Sequence, residues 1–174
     1  WKIAISKTRI HMRKTLFPLV AAMILSVAVL TSCNKPQRLF VGGFTEKDGE
    51  KGMTVFDFTR NGRLKMVASA DVGPNPSYFC IRKETGMFYV INEVMEFRGH
   101  PGGGLSTFRY NDEKASFEKC SEMLIPAGGP CYISVSAGGS PLFVANYPKG
   151  SVAVVKLGED GIPAVITDTI LYVR

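Results

Sequence analysis

The sequence is poor in the residue types from which metal and thiol chemistry are built. It has two histidines, His11 and His100, and four cysteines. None of them stands at a Cys-x-x-Cys or histidine-rich spacing that would suggest zinc. A metal site is therefore not expected. With Cys33 committed elsewhere, as argued below, Cys80, Cys120 and Cys131 remain, an odd number that cannot all pair in an exported chain. Cys80 and Cys131 stand four and one residues after a proline in matching segments, so strand alternation turns them to opposite sides. Partly buried free thiols are the expectation. A helical stretch is also missing from the body of the chain. So is a real surplus of positive charge. The formal net charge is +6, but Lys2, Lys7, Arg9, Arg13 and Lys14 precede every acidic residue. Without those 5, the other 16 basic residues face 15 acidic ones, a net charge of +1. A field of that size does not steer nucleic acid.

What is present is a repeat. Leu39-Phe40-Val41-Gly42-Gly43-Phe44 is answered by Phe88-Tyr89-Val90-Ile91-Asn92-Glu93 and again by Leu142-Phe143-Val144-Ala145-Asn146-Tyr147, at offsets of 49 and 54 residues. Periods in this range mark blades or solenoid turns. Each apolar run is followed by a turn and a second strand opened by glycine: Gly52 to Phe58, Gly104 to Tyr110 and Gly150 to Leu157. Turn residues such as Asn61-Gly62 and Asp160-Gly161 then reverse the chain into a third strand. Two units also carry an innermost strand opened by proline, at Pro76 to Phe79 and Pro130 to Ile133. A full unit is thus a four-stranded blade, and the fold class read from the residues is all-β, a β-propeller.

Blades are expected near 39–72, 76–125 and 130–173, within a partial propeller over 39–174. The first lacks its proline strand. Two full blades and three-quarters of a third fall short of the four to eight that propellers use, so the expectation is a truncated sequence. A small open-sheet domain is the alternative. An unpartnered outer face would make such a piece poorly soluble.

The first residues read differently. Residues 1–11 precede the first methionine and are read as upstream translation. Residues 12–33 resemble a bacterial lipoprotein signal peptide: Met12-Arg13-Lys14 as the positive start, Leu16 to Leu30 as the apolar stretch, and Leu30-Thr31-Ser32-Cys33 as the lipobox. The Cys33 thiol would take a diacylglycerol, with 34–38 as a short linker. That implies a lipid-anchored protein of the cell envelope. The alternative, a plain transmembrane anchor, needs about 20 apolar residues, more than this run supplies.

In a propeller the loops before the innermost strand and after the next one open on one end of the central channel. That rim would carry Asn75, Tyr78, Asn92, Glu93, Arg98, His100, Tyr132, Asn146 and Tyr147, and the eight besides Asn92 are candidates for binding a small molecule. Glu93 stands where the other two units have Phe44 and Tyr147. A carboxylate there could activate water or hold a substrate hydroxyl; a solvated or salt-bridged strand end, with Arg98 as partner, is the plainer reading. Arg98 could clamp an anion through its fork and His100 could move protons, although both sit in the longest inter-strand loop, where a solvated tip explains them as well. Tyr78 and Tyr132 share one position after their prolines and could contact ligand or pack between blades.

Taken together, Asn75-Pro76-Ser77-Tyr78, Val90-Ile91-Asn92-Glu93, Gly103-Gly104-Leu105-Ser106, Gly129-Pro130-Cys131-Tyr132 and Val144-Ala145-Asn146-Tyr147 resemble the seven-bladed lactonase family, whose members include bacterial 6-phosphogluconolactonases and fungal carboxymuconate cyclases. The resemblance runs from Leu39 to the end. It implies a seven-bladed ring in the full-length protein, with about three blades here, a monomer that hydrolyses a sugar lactone to the open acid without cofactor. It also implies Glu93 as base or substrate contact, with Asn146 and Tyr147 shaping the pocket. The family often has histidine where this chain has Tyr132, and its His-rich segment and later arginines fall beyond Arg174, so the fragment alone is expected to be inactive. A cycloisomerase, or a non-catalytic envelope propeller that binds carbohydrate or protein, are the competing expectations.

Overall fold

In the computed structural model, which describes residues 37–172 except 46, 48 and 149, every regular element is a β-strand. The leader and Cys33 lie outside the described residues. Thirteen strands follow in order: β1 (Gln37–Gly42), β2 (Met53–Phe58), β3 (Leu64–Ala70), β4 (Tyr78–Arg82), β5 (Met87–Asn92), β6 (Glu96–Phe97), β7 (His100–Pro101), β8 (Gly103–Asn111), β9 (Ser116–Ile125), β10 (Pro130–Val135), β11 (Leu142–Asn146), β12 (Ser151–Leu157) and β13 (Pro163–Leu171).

They form three main sheets of strands close in sequence, β1-β2-β3, β4-β5-β8-β9 and β10-β11-β12-β13, plus a small β6-β7 ladder. The first sheet has three strands, as the missing proline strand required. In the other two the proline strand is innermost by order and the outer strand last. Pairings with a recorded register are antiparallel, from Tyr78 opposite Ile91 to Val152 opposite Ile170. The repeat decides these sheets: alternating apolar strands pair with the next strand in the chain because a short turn brings it back first.

Packing between sheets explains why identical sequence patterns end at different burial. The middle sheet is covered on both faces. Met87, Tyr89 and Ile91 of β5 pack with Leu142, Val144, Ala153 and Val155 of the third sheet. The alternate residues Phe88 and Val90 pack with Met53 and Phe40 of the first sheet, in a cluster with Phe79, Phe108 and Phe117. All six residues of β5 are therefore buried. The corresponding strands β1 and β11 are covered on one face only, and leave Leu39, Val41 and Phe143 exposed. The same position in the repeat faces the same neighbour in each sheet; only the presence of that neighbour differs.

Two further contacts tie the sheets. Arg38 of β1 bridges Asp57 of its own sheet and Asp112 at the end of the middle one, a contact whose guanidinium nitrogen Nε lies 3.1 Å from Asp112. Glycines admit the close approaches. A Cβ on Gly103 would come 2.1 Å from the Pro130 ring, and one on Gly104 would fall 2.4 Å from Phe97. Gly103, which opens β8, is thus demanded by the proline that opens β10.

Candidate functional site

The rim is built where each innermost strand begins. Asn75 and Gly129 occupy matching positions before Pro76 and Pro130, and both are left-handed, with φ of 44° and 51°. Glycine accepts that conformation freely, and asparagine is among the few other residues that tolerate it. The turn lets each residue's carbonyl meet the end of the neighbouring strand: Glu93 N–H donates to the Asn75 carbonyl at 3.0 Å, and Tyr147 N–H to the Gly129 carbonyl at 3.0 Å.

Asn75 does more than glycine could. Its Oδ1 accepts from Thr45 N–H at 3.0 Å, and its Nδ2 donates to the Glu93 carbonyl at 3.3 Å. Its own N–H donates to Thr45 Oγ1 at 3.0 Å. The next junction uses backbone instead, with Gly129 N–H donating to the Val94 carbonyl at 2.9 Å. A continuous hydrogen-bonded belt thus runs Thr45–Asn75–Glu93–Val94–Gly129–Tyr147 across the three sheets. Replacing Asn75 by alanine removes the side-chain bonds and adds left-handed strain of about 1–2 kcal/mol, whereas glycine removes the bonds alone. Thermal or urea unfolding is expected to rank wild type above Asn75→Gly, and Asn75→Gly above Asn75→Ala by about 1 kcal/mol; equal variants would refute the strain argument.

The belt frames a cavity of about 400 Å³ lined by Asn75, Glu93, Val94, Met95, Gly129, Tyr147 and Pro148. Glu93 is half-buried there. Its backbone is held at both the N–H and the carbonyl, while its carboxylate meets no hydrogen-bond or ion-pair partner among the described residues. The described lining carries no cation to neutralise it. A carboxylate fixed at its root and open at its tip, beside Val94, Met95 and Pro148, can accept a proton from water or a hydrogen bond from a hydroxyl. Tyr147, 81% exposed, offers a phenol at the mouth.

The other candidates are placed differently. Asn146 lies below the rim, 3% exposed, and donates to Ser151 Oγ at 3.2 Å and to the Val144 carbonyl at 3.4 Å. It can shape the pocket from beneath but does not line it. Asn92 has the matching place in the middle sheet. Its Nδ2 donates to the carbonyls of Pro74 (2.9 Å) and Val72 (3.2 Å), and its Oδ1 accepts from Ser106 Oγ at 2.6 Å. It thereby clamps the turn that carries Asn75.

Tyr78 begins β4 and Tyr132 is the third residue of β10, and the two pack on one another with ring centroids 4.7 Å apart at 40°. Both stay substantially exposed. Partial desolvation, followed by the hydrogen bond with Tyr132, pushes the Tyr78 phenol up, so that ring presents a neutral hydroxyl.

Arg98 is turned toward the outer strand of the sheet, because the long loop that carries it and His100 is a β-hairpin. Arg98 and Gly99 both have positive φ, which makes the tight turn between β6 and β7. Phe97 is buried and packs over Gly104. Arg98 forms a two-pronged ion pair with Glu122 of β9, at 2.7 and 3.1 Å. The hydrogen bond from Arg98 holds the Glu122 carboxyl below the usual range. His100 is exposed on the hairpin, and neither residue lines the Glu93 cavity. The Arg98–Glu93 pairing considered from sequence thus gives way to Arg98–Glu122, since the hairpin aims the guanidinium at the outer strand.

Of the eight candidates, then, the cavity gathers Asn75, Glu93 and Tyr147. Sequence reasoning missed Val94, Met95, Gly129 and Pro148. Gly129 could have been found, since it aligns with Asn75 before a proline. The three described cysteines are free and partly buried. Burial pushes the Cys80 thiol up to about 12, so it is no nucleophile. Among the described residues, no group of three or more His, Cys, Asp or Glu could hold a metal ion.

Comparison with known proteins places this geometry. The family model "Lactonase, 7-bladed beta-propeller" matches residues 38–171. The 6-phosphogluconolactonase of Bacillus subtilis is 27% identical over 124 residues, which is 70% of this chain and 34% of the relative. That of Formosa agariphila is 25% identical over 124 residues, 71% of this chain and 34% of the relative. Among solved structures, a candidate 6-phosphogluconolactonase of Bacteroides fragilis superposes with a TM-score of 0.69 at 26% identity, over 80% of this chain and 37% of the other. The periplasmic gluconolactonase of Pseudomonas aeruginosa gives 0.65 at 31% identity, over 76% and 38%. The chain spans about a third of the length of the curated relatives it matches. Three propeller sheets in series, joined by the Asn75–Glu93 and Gly129–Tyr147 belt and matched along their length, make this chain a member of the seven-bladed β-propeller lactonase family.

Proposed function

We propose that this chain is the N-terminal part of an envelope lactonase that opens a sugar lactone to its aldonic acid. The observation that carries the reading is the Glu93 carboxylate, without an ion-pair or hydrogen-bond partner among the described residues, in the rim cavity of a lactonase-family propeller. A strained cyclic ester needs a base for water and a donor for the developing oxyanion. Glu93 supplies the first or holds a substrate hydroxyl, and Tyr147 stands at the mouth as a donor. The Tyr78–Tyr132 pair offers apolar ring faces with hydroxyl edges, suited to a pyranose or furanose ring. Asn75 and Asn146 act through the belt and the floor. Arg98 and His100 contribute only if the hairpin moves. In this reading the activity belongs to the complete propeller, of whose curated relatives this chain spans about a third of the length.

Location follows from the leader. Residues 12–33 are the lipoprotein signal and Cys33 the lipidated residue. The similarity to a periplasmic gluconolactonase supports an exported enzyme and favours an unphosphorylated sugar lactone over its 6-phosphate. Metabolic labelling with a radioactive fatty acid is expected to mark the wild-type protein; label retained by Cys33→Ser would remove the anchor. The activity is tested by assaying the complete protein on glucono-δ-lactone and 6-phosphogluconolactone. Turnover of the first at the higher kcat/KM is expected. No turnover of either would leave a binding propeller.

A further inference from the structure

The far end of the same innermost strands carries a second cavity, and its chemistry is the opposite of the rim's. Arg82 closes β4 and Ser136 follows the end of β10, so both lie about 13 Å along the strands from Tyr78 and Tyr132, at about 3.3 Å per residue. Between them opens a cavity of about 530 Å³, lined by Arg82, Lys83, Glu84, Ser136, Gly138 and Gly139 among others.

The guanidinium of Arg82 is positioned by packing. It lies in a slot between two glycine turns of the third sheet. A Cβ on Gly139 would fall 2.8 Å from one terminal nitrogen, and one on Gly161 would fall 3.8 Å from the other. Both glycines have positive φ, 82° and 80°. Beside the slot, the buried Tyr89 hydroxyl donates to the Gly161 carbonyl at 2.8 Å. Arg82 also acts on that phenol, opposing the upward push of burial. Among the described residues, neither Arg82 nor Lys83 has a carboxylate within ion-pair distance. Ser136 Oγ is buried with no hydrogen-bond partner there. The acidic groups that face the region are Glu84, which lines the cavity, and Asp160, whose charge is felt at Tyr89.

We propose that this cavity is a binding site for a small oxyanion, a phosphate or carboxylate group, held by the Arg82 fork with Lys83 and the Ser136 hydroxyl. Three observations converge on that chemistry. A planar five-donor group is pre-set by backbone without an anionic partner. A hydroxyl of another lining residue, Ser136, is buried and has no partner among the described residues, a state that ordinarily marks a missing partner. The cavity lining carries two cations against one carboxylate. The site is separate from the Glu93 cavity and stands whether or not the lactone reading does.

The test is a phosphorus-31 NMR titration of the full chain with inorganic phosphate at constant ionic strength, repeated with acetate as competitor. Saturable phosphate binding is expected. Arg82→Gln should weaken it about tenfold or more, the loss of a charge-assisted hydrogen-bonding group. Ser136→Ala and Lys83→Gln should weaken it a few-fold. The control Arg109→Gln, which removes an exposed arginine from β8, should leave it unchanged. Displacement by acetate would extend the site to carboxylates, and its absence would confine it to phosphate. Absence of saturation, or an affinity that Arg109→Gln lowers as much as Arg82→Gln does, would overturn the proposal. If Arg82→Gln does not fold, unchanged binding in both Ser136→Ala and Lys83→Gln overturns it equally.

Discussion

Glu93→Gln, made in the complete protein, is expected to lower kcat/KM for lactone hydrolysis by at least a hundredfold. General-base catalysis contributes about 10²–10⁴-fold, and the amide keeps the shape of the carboxylate but cannot take a proton. The backbone of residue 93 is fixed at both its N–H and its carbonyl, so the substitution should leave the rim in place. The division between constants separates the two roles open to this residue. A base lost lowers kcat with KM little changed. A hydroxyl acceptor lost raises KM instead, because the glutamine oxygen still accepts but carries no charge. Wild-type rates with a native circular dichroism spectrum would take Glu93 out of the reaction altogether.

Phe88→Ala is expected to destabilise the fold by about 3–5 kcal/mol, the range for a large aromatic removed from a core. Phe143→Ala, one position along in a corresponding strand, is expected to cost under about 1 kcal/mol. Phe88 is 2% exposed and meets Phe40, Phe79, Tyr110 and Phe117 at ring separations of 4.7 to 5.9 Å. Phe143 is 38% exposed, on the face of the third sheet that has no described neighbour. Urea unfolding of the two variants measures the difference directly. Similar losses would mean that the outer face of the third sheet is covered in solution. The two outcomes therefore report on what lies against that sheet as well as on the core.

The sheets were legible because their signals are local. Alternation, glycine-opened strands and Asn-Gly or Asp-Gly turns recur in each unit, and every recorded ladder but the small hairpin matches a segment read from them. The hairpin was hidden. Arg98-Gly99 is not among the commonest turn pairs, and the strands beside it are two residues each, too short to show a period. For the same reason Arg98 and His100 were read as rim residues. The site was legible only in part. Glu93 stands out because it breaks the repeat, and Tyr147 because it ends a matching strand. Asn146 looked like its neighbour Tyr147. Burial separates them, and burial depends on which way the strand end turns. The belt was unreadable, since half of its bonds join backbone groups that every residue possesses.

The sheets also say something about how the chain reaches its shape. Each of the three main sheets joins strands that follow one another, interrupted only by the β6–β7 hairpin. Loop closure between such neighbours loses little entropy, so a single sheet can nucleate without waiting for distant segments. Contact between sheets then comes second, and the central one gains from both sides. The backbone amides of β5 should accordingly be the last to exchange with deuterated water, and those of β1 and β13, each an edge with one flank uncovered, among the first.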